Sequence, residues 1–238
     1  MPDVNTEAPR EPADQMSLNA HRRIIGTLGL MLPALVYLWS GARPTAALAR
    51  WKLLWSVSAY YYTGAVGVLV GLLFALSLAL FSYRGYKGVR ADRIVGSVGG
   101  LAALVVALFP TAAPDGIPMP AWWKPGTGVI HYVAAVVLFV SFILFAVWLF
   151  RKSATPRRED RPADKRRRDD VCLACGLIMI SAVVWVGIAT LSDAPIFVPE
   201  AVAIVAFAVS WLVKGEAHAP VIRAVRKLTG RGGDRPPG

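Results

Sequence analysis

Hydrophobic positions along this chain fall in six unbroken blocks rather than in alternation with polar ones. They run from Ile24 to Trp39, Tyr60 to Tyr83, Ile94 to Phe109, Val129 to Phe150, Val171 to Leu191 and Phe197 to Val213. A bilayer core about 30 Å thick takes about 20 helical residues and tolerates about 17, so each block predicts a membrane-spanning helix. The first, third and sixth sit near the lower limit and are expected to extend into the interface. Hydrocarbon offers no water to backbone groups, which must pair within the segment; without period-two alternation that means helices and not barrel strands. The fold class is therefore all-α, a polytopic transmembrane bundle of about six helices.

The polar intervals divide the rest. Residues 1–20, rich in Pro, Asp, Glu, Asn and Ala without periodicity, read as a disordered tail, and 216–238 as a basic tail. Residues 21–215 form the membrane domain, which contains a basic linker at 151–170. Gly67 and Gly71 in the second block, and Gly96 and Gly100 in the third, follow a small-xxx-small spacing that lets helices approach closely. The short connection between those blocks predicts an antiparallel hairpin, with homodimerisation through either motif as the other use. Pro33 is expected to kink the first helix, and Pro110 and Pro114 to open a long turn after the third. Ala46 to Ser58 reads as a short amphipathic segment with Trp51 and Trp55 on one face, lying in the interface. Ala47-Leu48-Ala49 looks like a signal-peptidase site, but the acidic residues Asp3, Glu7, Glu11 and Asp14 before the first block favour a retained helix. No repeat at hairpin scale and no paired helix discontinuities of the inverted-repeat transporter kind are present.

Composition and charge sharpen this picture. With 55% hydrophobic and 17% charged residues, the chain has more apolar surface than a soluble domain can cover. The net charge of +11 is concentrated in short connections and tails, so it reports membrane orientation before nucleic acid, which is not an expected partner. Arg151, Lys152, Arg157, Arg158, Arg161, Lys165, Arg166, Arg167 and Arg168 place the fourth connection in the cytoplasm. Arg84, Lys87, Arg90 and Arg93 do the same for the second, and both termini follow. The expected location is a bacterial inner membrane, with membrane lipids, and partner subunits of a larger assembly, as the partners. Arg43, Arg50 and Lys52 run against this count, since they fall on the external side.

Polar groups at the rims of apolar helices carry the remaining chemical signal. On the predicted external side these are Ser56, Ser58, Tyr60, Tyr61, Tyr62, Asp115, Trp122, Trp123, Lys124, His131, Asp193 and Glu200. His131, one turn inside the fourth helix, is a candidate general base, and Glu200 in the first turn of the sixth is its candidate orienting partner. Each has a plainer role: a hydrogen bond within the interface for His131, and a favourable helix-dipole position for Glu200. Tyr60, Tyr61, Tyr62, Trp122, Trp123 and Asp193 are candidate ligand contacts, although aromatics there also form interfacial belts and Asp193 suits a turn.

Cys172 and Cys175 share a helix face at redox-dithiol spacing, but no second pair accompanies them and zinc would want four ligands. No metal site and no cofactor is expected. Phosphate-binding Gly loops, metalloprotease and hydrolase motifs, and haem-attachment motifs are absent. The three histidines, His21, His131 and His218, fall on opposite sides of the membrane, which disfavours a bis-histidine haem.

The run Ser58-Ala59-Tyr60-Tyr61-Tyr62-Thr63, then Ala107-Leu108-Phe109-Pro110-Thr111, His131, Glu200 and Ser210-Trp211-Leu212-Val213-Lys214-Gly215 resembles uncharacterised bacterial six-helix membrane proteins. The Phe-Pro turn before a His-started helix is similar to the DUF998 and Frag1/DRAM/Sfk1-like group. The resemblance covers about Ile24 to Gly215 and implies a compact six-helix bundle; it supports the choice of His131 and Glu200 and implies no reaction. The leading functional expectation is a non-catalytic bundle that binds a lipid or small amphiphile, or serves as an accessory subunit. A membrane-embedded hydrolase or transferase with a His131/Glu200 site is the alternative. Transport comes third, because helix centres offer only hydroxyls such as Ser77, Ser141 and Ser181.

Overall fold

The computed structural model describes residues 12–44, 51–85, 90–153 and 157–217. Its elements are α1 (Pro12–Ala42), α2 (Val66–Ser82), α3 (Arg90–Leu108), α4 (Pro125–Val147), α5 (Ala163–Leu191) and α6 (Phe197–Lys214), with 3₁₀ turns at Ser58–Tyr62 and Leu149–Arg151. Among the described residues there is no strand, and five of the helices are long and apolar enough to cross a membrane. The remaining one, α2, has 17 residues and is apolar throughout, at the lower limit for spanning. The protein is a multi-pass helical membrane protein.

Several boundaries differ from expectation. α1 begins at Pro12, so residues 12–20 are helical rather than part of a disordered tail, and it continues through Pro33. The second block starts as a 3₁₀ turn, because the Thr63 hydroxyl donates to the Tyr60 carbonyl (2.8 Å) and accepts the Ala65 N–H (3.0 Å), separating the tyrosine run from α2. Residues 51–57 form no helix. Trp51 has φ 60° and packs beside Tyr37 with ring centroids 6.0 Å apart, while Trp55 is exposed. Residues 46–50, including Ala47-Leu48-Ala49 and Arg50, lie outside the described residues, as do residues 1–11, Lys87 and His218. α5 reaches back to Ala163 and makes the second half of the expected linker helical. There Arg161 pairs with Asp169 at 3.0 Å, Lys165 also binds Asp169, and Arg158 binds Asp170 at 2.7 Å.

α1, α2, α3, α4 and α6 form a ring: consecutive helices pack in order, and α6 closes it by packing on α1 and touching α4. α5 lies outside, in the angle between α4 and α6. The α2–α3 hairpin forms as expected, but only one of the two glycine motifs serves it. A Cβ at Gly96 or Gly100 would come within 2.9 Å of the Leu80 or Ser77 carbonyl, so these glycines permit the close approach. The Ser77 hydroxyl adds a bond to the Gly100 carbonyl at 2.7 Å. Gly67 and Gly71 meet nothing within 4 Å.

The two ends of the ring differ. At the end where α1 starts and α6 finishes, here the tail end, Gly215 lies against Asn19, Arg22 and Arg23. The interior beneath is filled by Tyr83, Phe145, Phe150, Phe207 and Trp211, all fully buried and in mutual ring contact. Carbonyls at the end of α4 and in the 3₁₀ turn after it are met by bases. Arg151 donates to Val147 O (3.1 Å), and Lys214 and Lys165 to Phe150 O (2.6 and 3.4 Å). At the opposite, loop end, residues 51–65, 109–124 and 192–196 come together.

Candidate functional site

The loop end is built on α6. Its first N–H groups, orphaned as in any helix, are taken by one carbonyl: Ile196 and Phe197 both donate to Trp55 O, at 2.7 and 2.8 Å. This clasp lays residues 55–57 across the helix start and brings the Val57 N–H to Glu200 Oε2 at 2.7 Å. Glu200 thus holds the first connection in place from the first turn of α6, where a carboxylate also suits the helix dipole. Among the described residues its other oxygen has no hydrogen-bond partner.

Below Glu200, the ring encloses a narrow cavity of about 50 Å³ that is partly open. Glu200, Ile204 and Phe207 line it from one face of α6 at i, i+4 and i+7, which puts its far end about 10 Å from the carboxylate. α2 contributes Leu69, Leu73 and Leu76, α4 contributes Ala135, Leu138 and Phe139, and α1 contributes Leu32. The polar side chains on it are Glu200 and Ser58, both at the loop end. Its floor is the stacked pair Phe142 and Phe207, with ring centroids 3.6 Å apart and planes 18° from parallel. Beneath them the aromatic cluster closes the tail half. The interior is thus a blind apolar slot with one carboxylate at its top; it has the apolar walls and few polar groups of a small-molecule pocket but much less than the usual volume, so a ligand chain enters only as the lining side chains move apart.

The expected His131–Glu200 pair is not formed. His131 is buried on α4, and its Nδ1 donates to the Phe109 carbonyl at 2.6 Å. It does not line the cavity and has no hydrogen bond to Glu200. The reason lies in the turn that follows α3. Three successive carbonyls there, of Phe109, Pro110 and Thr111, each receive a side-chain donor from a different part of the chain. His131 takes the first, Trp123 Nε1 the second (3.1 Å) and the Tyr62 hydroxyl the third (2.6 Å). The Phe-Pro turn and the His-started helix therefore belong together structurally, as acceptor and donor, and the histidine holds the turn.

The other candidate contacts also serve the scaffold. Tyr60 is fully buried against Phe197; its hydroxyl lies 3.4 Å from both the Leu54 N–H and the Lys52 carbonyl. Burial pushes the Tyr60 and Tyr62 phenols above their ordinary pKa. Tyr61 packs edge-on to Tyr62, Trp122 is exposed, and Asp193 forms a turn with φ 47°. Cys172 and Cys175 are free and buried on α5, with Cys172 Sγ 3.8 Å from the Ser210 carbonyl. Among the described residues no three metal-ligating side chains gather. Of the polar residues expected on the external side, Glu200 and Ser58 reach the cavity; the apolar lining on α2 and α4 was not anticipated, and the i, i+4, i+7 face starting at Glu200 is the one signal of it in the sequence.

A family model described as a protein of unknown function (DUF998) matches residues 54–215, from the strap under Glu200 to the end of α6. The chain belongs to the DUF998 family. The match takes in the Phe109–Thr111 turn, His131, Glu200 and every cavity-lining helix except α1. It does not carry the Frag1/DRAM/Sfk1-like part of the resemblance. No curated protein and no solved structure matches this DUF998 chain.

Proposed function

We propose that this DUF998 protein is a non-catalytic amphiphile-binding bundle of the bacterial inner membrane, with its basic tail end in the cytoplasm. The ligand's apolar chain occupies the slot and its polar head meets Glu200. The observation that carries this reading is the pairing of a blind apolar cavity with a carboxylate oxygen that has no partner among the described residues. Among the described residues no basic side chain lines the slot, so an anionic head would meet repulsion and no compensating charge there. A head that donates hydrogen bonds, an amine or a hydroxyl, suits Glu200 and Ser58. The hydrolase or transferase reading has less support, because His131 and Glu200 form no hydrogen bond: His131 Nδ1 donates to the Phe109 carbonyl and Glu200 accepts from Val57. The accessory-subunit reading rests on the exposed α2 face at Gly67 and Gly71, which is open to a second helix.

The test is thermal unfolding of the purified protein in a non-ionic detergent with decylamine, decanol or decyl phosphate added. The amine and the alcohol are expected to raise the transition temperature, the amine more, and decyl phosphate to leave it unchanged. Equal effects of all three ligands would remove Glu200 from the account, and no effect of any would remove the slot.

A further inference from the structure

The basic segment after α4 is not uniformly paired. Arg157 lies 3.9 Å from Glu159, Arg158 binds Asp170, Arg161 and Lys165 share Asp169, and Arg168 binds Glu216. Arg151 and Lys152 have neutral described partners, as does Arg166, which meets the Glu159 carbonyl beyond the 3₁₀ turn. Arg151 donates to the Val147 carbonyl while its buried Nε has no partner. Lys152 Nζ sits 3.9 Å over the ring of Trp148, which is itself about half exposed.

An open apolar groove of about 270 Å³ runs along the outer surface between α3 and α4, and Arg151 and Lys152 follow in the chain just past the tail-end finish of α4. Val136, Val140 and Leu144 form one wall at helical i+4 spacing; Trp148 comes one turn further on, where α4 ends, and carries Lys152 over its ring. Ile94 and Val98 form the facing wall, with exposed Arg90 and Arg93 within one turn of Ile94 on the same helix, toward the tail end. The groove exists because Gly99 and Ser141, small residues in contact distance of one another, let the surface dip between the helices.

We propose that this groove is a specific site for an anionic phospholipid of the leaflet at the tail end. One acyl chain lies between α3 and α4, and the phosphate is held by Arg151 and Lys152 with Trp148 at headgroup depth. Charge complementarity selects the occupant. A second transmembrane helix would satisfy the walls but leave the bases at the end of the groove unmet, whereas a lipid phosphate satisfies both at once. This site stands apart from the Glu200 slot: it opens on the outer face of the ring and toward the other end.

Native mass spectrometry of the protein released from nanodiscs containing equal amounts of phosphatidylglycerol and phosphatidylcholine tests it. Retained phosphatidylglycerol is expected to exceed phosphatidylcholine. Its affinity should fall about fivefold in Lys152→Ala and about 25-fold when Arg151→Ala is added, at about 1 kcal/mol per base. Val140→Trp, which fills the groove without touching a charge, should weaken both lipids, and Arg157→Ala should change neither. Equal retention of the two lipids, or a phosphatidylglycerol preference untouched by the double variant, would overturn the proposal. Displacement by inorganic phosphate alone would mean a free-anion site, and a dimer lost in Val140→Trp would mean a second copy of the chain occupies the groove; either result also overturns it.

Discussion

Two substitutions at Glu200 separate its structural part from its binding part. Glutamine keeps an oxygen at the position that accepts the Val57 N–H, now 2.7 Å from Oε2, and removes only the charge. Leucine fills similar space but leaves that N–H without an acceptor beneath the clasp. An unmet buried donor costs about 1–3 kcal/mol, so Glu200→Leu should be destabilised by that amount in ligand-free detergent, while Glu200→Gln should stay within about 1 kcal/mol of the parent. Binding should follow a different order. A hydrogen bond to a charged group contributes about 1.5–3 kcal/mol against about 0.5–1.5 for a neutral one, so losing the charge should weaken an amine-headed amphiphile about tenfold. At a ligand concentration near 100 Kd for the parent, stabilisation is about 2.7 kcal/mol; in Glu200→Gln it should fall to about 1.4 kcal/mol. Thermal unfolding of the three proteins with and without decylamine reads both quantities. If Glu200→Leu unfolds with the parent, the clasp account fails; if Glu200→Gln binds decylamine as tightly as the parent, the charge is not part of the site.

Other expectations follow from the same geometry. Phe207→Ala removes a fully buried ring from the stacked floor and should cost about 3–5 kcal/mol in detergent unfolding, while opening the slot toward the tail half so that longer-chain amphiphiles stabilise more than decyl ones. Gly96→Ala forces a Cβ to within 2.9 Å of the Leu80 carbonyl and should destabilise by about 1–3 kcal/mol, whereas Gly67→Ala, with open space around it, should be neutral or slightly stabilising by the same assay. Because burial raises the Tyr60 and Tyr62 phenols, the fold favours their neutral forms. That contribution is complete below the ordinary tyrosine value of about 10 and is lost as pH rises through the higher folded values. Ultraviolet titration should therefore show late phenolates, of which Tyr60→Phe and Tyr62→Phe each remove one.

Legibility differed between the scaffold and the site for physical reasons. Spanning helices must satisfy their backbone internally and present apolar side chains to lipid, so the block pattern announced them, and the errors fell where no such constraint acts. The Tyr60–Tyr62 run is apolar enough to extend α2, yet the Thr63 hydroxyl competes for the backbone and ends the turn there. Polar residues 12–20 and 163–170 prolong helices beyond the apolar blocks, where composition alone reads as tail and linker. His131 drew attention for its chemistry, but its partner, the Phe109 carbonyl, is a backbone group that no side-chain motif reveals. Glu200 was visible as a carboxylate in a first helical turn. The slot beneath it was not, because cavity walls of Leu, Ile and Phe have the same composition as packed core and lipid-facing surface.

On the proposed reading an amphiphile's chain lies inside the ring beneath Glu200. Photolabelling with a decylamine analogue carrying a diazirine near its chain end, followed by peptide mapping, tests it most directly. Adducts are expected on α4 within residues 135–142 and on α6 within residues 203–207, with a marked loss in Glu200→Gln. Labelling spread over lipid-facing positions such as Val129, Val133 and Ile188, at equal yield in the parent and in Glu200→Gln, would contradict it.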